Sequence, residues 1–491
     1  MSPFAVFTGT ADPAQQYIDG AWRPGSGSWD IIDFDPYTGD KLAAITVATA
    51  AEVDLAYRAA ERAQPAWAAA GGYARRAVLE RVLRLLEEHE EELAEAVVTE
   101  VGATRARAAY ELSQSRDVLR EAIALALRPT GRILASPVDG KENHVRREPV
   151  GVVGVVSPFN LPLLVSLKSV APALALGNAV VLKPHQNTPV AGGTLVARLF
   201  EAAGLPAGLL NVVITDIAEI GDALLEHPVP KVVSFTGSDR TGRHVATVAA
   251  AHFKRPVLQF GGNSAFLVLD DADVEYAVDA AVFSRFLHQG QVCMAAHRLL
   301  VQRGVEREFT ERFTARVRAL RTGDPRDPET HLGPLINTSQ AEGVLAVCEQ
   351  ALAEGATALV RGRADGCLVE PIVLTGVPAG SAVLRQEVFG PLVFLQSFDE
   401  VAEGIRMAND TPYGLSGAVH TADTVRGVEI AQRIETGMFH VNDATVPDEP
   451  LVPFGGEKHS GMGRLNGDAM VEAFTTQRWI SIQHGRSSFP F

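Results

Sequence analysis

Six consecutive residues, His288-Gln289-Gly290-Gln291-Val292-Cys293, combine the residue types best suited to covalent chemistry. A thiolate is a strong nucleophile even at neutral pH, whereas a thiol sealed in an apolar shell behaves as a small hydrophobe, so the neighbours decide its role. Gly290 permits a tight backbone approach, and the glutamines on either side of it offer amide dipoles rather than packing bulk. A buried structural cysteine is the competing reading, and only the rest of the chain can decide against it.

The chain has 491 residues, 46% of them apolar, enough for two or three domains with large cores. Its formal net charge of −15 and the absence of any concentrated basic stretch argue against nucleic acid or anionic membrane as partners. Apolar runs such as 152–156 and 161–165 fall far short of the roughly 20 residues that span a bilayer. Residues 1–11 lack a basic region followed by an apolar core, so no secretory signal is expected. Cys293, Cys348 and Cys367 show neither pairing nor metal-ligand spacing, which fits a reducing cytoplasm and no bound metal.

The elements that must position Cys293 follow from the apolar rhythm. Residues 16–40, rich in Gly, Asp, Pro and aromatics, read as an extended arm with turns, and 50–127 read as helices, with an acidic solvated face over 87–92. Residues 132–149 read as a β excursion. From Val150 onward, short β-rich runs at 152–156, 179–182, 210–214, 232–235 and 257–260 alternate with helices. That alternation predicts an α/β fold with a doubly wound parallel sheet that binds ligands at the carboxyl ends of its strands. A second α/β segment runs from 265 to about 442, with Cys293 just beyond a helix over 273–287. The strand-like 479–483 needs an edge to pair with, one that another subunit can supply.

The strand ends carry Ser157-Pro158-Phe159-Asn160, Lys183-Pro184-His185-Gln186, Thr236-Gly237-Ser238 through Gly242, and Gly261-Gly262. The third is the best phosphate candidate, since glycines at a helix mouth turn backbone N–H groups and the helix dipole toward an anion. These motifs, with Gln289 to Cys293, Glu387-Val388-Phe389-Gly390-Pro391 and Pro453-Phe454-Gly455-Gly456, resemble the NAD(P)-dependent aldehyde dehydrogenase superfamily along nearly the whole chain. The stretches around Cys293-Met294, Asn442-Asp443 and Asp448-Glu449-Pro450 resemble its bacterial benzaldehyde and vanillin dehydrogenases. The resemblance implies an NAD(P)-binding domain from 1–131 and 150–260, a catalytic domain at 261–442, and oligomerisation strands at 132–149 and 474–491.

It also implies that Cys293 attacks an aldehyde and that the Asn160 amide and the Cys293 N–H hold the oxyanion. Lys183 would bind the adenosine ribose, Gly237 and Ser238 the pyrophosphate, and Glu387 with Phe389 the nicotinamide ribose, while Ser157, Pro158, Phe159, Gln186, Gly242 and Gly261 complete the cofactor site. Leu161, Val165, Val292, Met294 and Phe454 would line an apolar slot suited to an aromatic ring. No arginine can be placed in that slot. Relatives are expected to form homodimers or homotetramers.

Two departures stand out. Gln259 occupies the place of the family's usual glutamate base, and Leu465 follows Arg464 where some relatives carry a carboxylate. A neutral amide cannot take the proton of a deacylating water, so a contribution of about 10²–10⁴-fold should be missing. Gln259 then reads as a substitution that traps the acyl-enzyme; the alternatives are another base, or transfer to a thiol such as coenzyme A. A catalytically silent cofactor-binding homologue is the reading from outside enzymology. Gln186, where many NAD-preferring relatives carry glutamate, neither binds a ribose 2′-hydroxyl strongly nor repels a 2′-phosphate, so NAD is expected first with NADP also admitted.

Overall fold

Five of the apolar runs become adjacent parallel strands, in the spatial order Leu210–Val212, Ala179–Lys183, Val152–Val156, Val232–Thr236, Arg255–Gln259. This computed structural model describes residues 15–128 and 131–491; the N-terminal stretch read for a secretory signal lies outside the described residues. In three of these strands the first four residues are buried and the last, Val156, Lys183 or Thr236, is half-exposed. Burial on both faces is why the strands read as continuous Val-rich runs instead of alternating ones. The chain starts at Val152–Val156, steps outward twice, then returns to pair on the other side of its first strand. A crevice opens where the direction reverses, between the carboxyl ends of Val152–Val156 and Val232–Thr236.

Both flanks of this sheet are closed antiparallel. Gln16–Ile18 pairs with Leu210–Val212, and Gly461–Met462 pairs with Arg255–Gln259. The second sheet is built mainly from parallel strands Ile372–Thr375, Leu392–Phe398, Ala296–Gln302, Ser264–Val268 and Gly417–His420. Residues beyond 442 return from it to the first sheet through Gly461–Met462 and the helix Gly467–Phe474.

The helical region divides into Ala50–Ala69, Gly71–Glu88, Glu90–Val101 and Arg105–Leu125. Gly102, at φ 68°, ends the third in a left-handed turn, a conformation glycine adopts without cost. Leu79, Val82 and Leu86 face the core, while the acidic run meets the last helix through Arg116–Glu90 at 2.6 Å and Arg120–Glu87 at 3.3 Å. Such exposed pairs contribute only about 0–1 kcal/mol each.

The terminal strand Thr475–Gln483 finds its edge within the chain, pairing over its full length with Lys141–Pro149, which in turn pairs with Gly131–Leu134. Among the described residues one side of Thr475–Gln483 stays unpaired, and Trp479 and Ile133 on this three-stranded sheet are 66% and 73% exposed.

Gly242, expected to touch a cofactor, is set apart from the crevice wall. It lies in the first turn of the helix Asp239–Ala251, where a Cβ would come within 1.9 Å of the Phe260 ring. Its small size lets the helix seat against the last parallel strand. Gly242→Ala should therefore destabilise the fold by about 1–3 kcal/mol. Chemical denaturation checks this, and Phe260→Leu added to Gly242→Ala should recover part of the loss.

Candidate active site

The helix Val274–Phe286 delivers the chain into three consecutive left-handed residues, His288 (φ 52°), Gln289 (φ 55°) and Gly290 (φ 76°). For the two non-glycine residues this costs on the order of 1–3 kcal/mol each, so the surroundings must hold the loop in place. Gln289 Nε2 donates to the carbonyls of Gly102 (3.1 Å) and Pro334 (2.9 Å), and Gln291 Oε1 accepts from Ile336 N (3.0 Å). A Cβ on Gly290 would lie 2.4 Å from the Gly390 carbonyl oxygen. The two glutamines, which the sequence offers as amide dipoles beside Gly290, are thus buried struts bonded to the backbone of neighbouring segments. Arg285, fully buried, donates to the carbonyls of Val388 (2.8 Å) and Gly390 and fastens the 387–391 loop to the same unit.

The loop places Cys293 in a cleft of about 800 Å³ at the sheet's reversal point. Asn160 faces it from the end of Val152–Val156, with Nδ2 donating to the Gln291 carbonyl at 2.9 Å. The Asn160 carbonyl accepts from Arg107, whose guanidinium pairs with Glu111 at 2.6 Å, and Glu111 accepts from Leu164 N at 3.1 Å. This buried pair fixes Asn160 relative to the helix Pro162–Ala175. An arginine therefore does reach the cleft wall, but its guanidinium bonds the Glu111 carboxylate and the Asn160 backbone carbonyl.

Gln259 also borders the cleft, at 2% exposure, and among the described residues neither of its amide atoms has a hydrogen-bond partner. Glu387 borders the same cleft, accepting from Gly262 N at 3.1 Å; burial, with Asp239 adding repulsion, pushes its carboxyl up to about 7. Burial pushes the Cys293 thiol up to about 12, with Glu387 and Asp448 adding to the rise and Lys168 opposing it. His288 is held well below its ordinary range by burial and by Arg107, so the imidazole is neutral.

The other end of the cleft suits an anionic nucleotide. Ser238 caps the helix Asp239–Ala251, accepting from Thr241 N at 3.3 Å, and Gly237 and Ser238 stand at its positive end. Lys183 ends the strand on the far side of Val152–Val156, its ammonium pulled down to about 8 by burial with Asp216 opposing, and Gln186 is exposed at the mouth. Ser157 and Pro158 form the floor, and Phe159 meets Phe389 edge to face at 5.7 Å. Gly261 leaves room that a side chain would fill, since a Cβ there would sit 2.1 Å from Glu387 Oε2. A helix mouth, the ammonium of the half-exposed Lys183 and glycine clearances together fit a dinucleotide. Leu161, Val165, Val292, Met294 and Phe454 border the cleft around Cys293.

Lys168 and Asp448 escape sequence reasoning as site residues. Lys168 Nζ pairs with Asp448 and sits 3.6 Å over the Phe454 ring, and Tyr110 lies close enough to Asp448 for its hydroxyl to be raised to about 12, mainly by burial. A signal was available: Lys168 is the only charged residue in the apolar helix Pro162–Ala175, and a buried ammonium requires a partner. The thiol itself yields a test. Because its pKa is raised, the reactive thiolate of the free protein should keep increasing about tenfold per pH unit from 7 to 10, instead of levelling off near 8.5. Peptide mapping of iodoacetamide alkylation at Cys293 reads this directly.

Residues 22–480 match the model of the aldehyde dehydrogenase family. The chain is 52% identical over 477 residues to the benzaldehyde dehydrogenase YfmT of Bacillus subtilis, covering 97% of this chain and 98% of that one. It is 45% identical over 481 residues to a vanillin dehydrogenase of Corynebacterium glutamicum, covering 98% and 99%. A solved NAD-dependent benzaldehyde dehydrogenase from Corynebacterium glutamicum superposes with a TM-score of 0.89 at 42% identity, covering 96% and 99%. The betaine aldehyde dehydrogenase of Staphylococcus aureus in complex with NAD+ superposes with a TM-score of 0.94 at 31% identity, covering 97% and 96%.

Proposed function

Because the chain belongs to the aldehyde dehydrogenase family, we propose that it oxidises an aromatic aldehyde to the carboxylic acid with NAD+, through a thiohemiacetal and then a thioester on Cys293. The observation that carries this reading is the convergence of the Cys293 thiol, the Asn160 amide and the Gly237-Ser238 helix mouth in one cleft. Its apolar walls around Cys293 suit a ring, and the 52% and 45% identities to benzaldehyde and vanillin dehydrogenases point to the same substrate class.

The sulfur of Cys293 adds to the carbonyl carbon, and the oxyanion is received by the Asn160 amide and the Cys293 N–H. Lys183, Gly237, Ser238, Glu387 and Phe389 hold the dinucleotide, which supplies the hydride acceptor when bound. Alignment at the sulfur replaces any need for a protein base in that step. Hydrolysis of the thioester is the slow part, because Gln259 offers an amide where a carboxylate would take the water's proton. Gln186 leaves the adenosine ribose without a carboxylate, so NADP is admitted behind NAD.

A second reading, transfer of the acyl group to coenzyme A, is favoured by the same unpartnered Gln259. We further assign the protein to the cytoplasm, where three free cysteines are stable; among the described residues no helix is long and apolar enough to cross a membrane. The unpaired edge of Thr475–Gln483, with exposed Trp479 and Ile133, is assigned to assembly as a homodimer or homotetramer.

Adding benzaldehyde and NAD+ should give a burst of one NADH per subunit followed by a slow steady state, with the burst abolished by Cys293→Ala. Stopped-flow absorbance reads both phases, and a chain without any burst would be the silent homologue. Gln259→Glu should raise the slow phase by as much as about 10²-fold. Indifference of the slow phase to coenzyme A excludes the second reading. Light scattering at micromolar protein should report at least twice the chain mass, and a monomer would refute the assembly assignment.

A further inference from the structure

We propose that Glu387 is the general base for the slow hydrolysis of the acyl-Cys293 thioester that remains, a less effective stand-in for a carboxylate at position 259. This inference rests on the thioester chemistry above. Four carboxylates border the cleft: Asp216, Asp222, Glu387 and Asp448. Asp216 is occupied in accepting from Ala218 N at 2.8 Å beside Lys183, and Asp222 Oδ1 lies 2.7 Å from His244. Asp448 is paired with Lys168 and accepts from Asn466 Nδ2 at 2.8 Å. Glu387 differs from all three. Among the described residues it is ion-paired to no cation, and its one hydrogen bond, from Gly262 N, occupies only Oε1. Oε2 lies against the backbone of Gly261, two residues beyond the unpartnered amide of Gln259.

Glu387 is also the charged group that acts most strongly on the Cys293 sulfur. The charged and titratable groups facing it are Asp239, Arg285, Cys293 and Tyr413. With its carboxyl raised to about 7, it can both take and return a proton near neutrality. In the step assigned to it, a water oxygen adds to the thioester carbonyl carbon as Glu387 takes one of the water's protons. The tetrahedral adduct collapses, the carbon–sulfur bond breaks, and Glu387 returns the proton to the departing sulfur. The products are the carboxylic acid and the free thiol, with no change in oxidation state. The high pKa of Cys293 makes the returned proton useful, since the bare thiolate would be a poor leaving group in this setting.

Glu387 is also assigned to the nicotinamide ribose, so the test dispenses with the nucleotide. Cys293 is acylated with excess 4-nitrophenyl acetate in the cofactor-free protein, the reagent is removed, and loss of the acetyl group from the Cys293 peptide is followed by mass spectrometry. In the unaltered chain, decay should rise through pH 7 and then level off, because only the ionised carboxylate is a base. Glu387→Gln should slow the decay by about 10²-fold at pH 8 and abolish the inflection. Adding Gln259→Glu to Glu387→Gln should restore fast decay. An unchanged rate and inflection in Glu387→Gln, or a loss that Gln259→Glu cannot rescue, would overturn the inference while leaving the thioester chemistry intact. Failure of Cys293 to become acylated at all would instead remove the thioester reading, and this inference with it.

Discussion

The contact between Gly290 and the Gly390 carbonyl is the joint on which the site depends. It brings two loops from distant parts of the sequence to backbone contact, one ending in Cys293 and the other beginning with Glu387. No side chain could occupy that space, and the buried Arg285 bonds the carbonyls on the far side of the joint. Three successive left-handed residues are tolerated because Gln289 and Gln291 tie them to the backbone at 102, 334 and 336. Local strain is thereby exchanged for a fixed placement of the sulfur, which a flexible loop could not hold against a reacting carbonyl.

Electrostatics around that sulfur are a balance of opposing charges in a partly dehydrated cleft. Glu387 and Asp448 oppose ionisation, and Lys168 favours it. Lys168 is itself held by Asp448 and by the face of Phe454, so the cation cannot swing away into water. The free protein therefore keeps its thiol protonated and its nucleophile quiet.

Much of this was legible in the sequence, and the remainder was hidden for physical reasons. The parallel strands were readable because burial on both faces leaves uninterrupted Val-rich runs, as in Val152–Val156 and Val232–Thr236. The strand-end positions Asn160, Lys183 and Gly237 followed from topology, since such sheets expose their carboxyl ends to ligand. What did not show was tertiary partnership. Gln289 and Gln291 looked like polar neighbours of the thiol and are structural struts; Gly242 looked like a nucleotide contact and is a clearance for Phe260. The Lys168–Asp448 pair spans 280 positions of sequence, and neither residue announces the other.

The short strand Gly461–Met462, laid beside Arg255–Gln259, has a consequence for how the molecule comes into being. That strand, together with the cleft residues Phe454 and Leu465, leaves the ribosome well after Cys293 has been made. The nascent chain carries its cysteine through the synthesis of residues 294–454 without the walls that later surround it. Only once these later residues have emerged can the chamber close, so a product truncated before them would present an ordinary, open thiol in place of a shielded one.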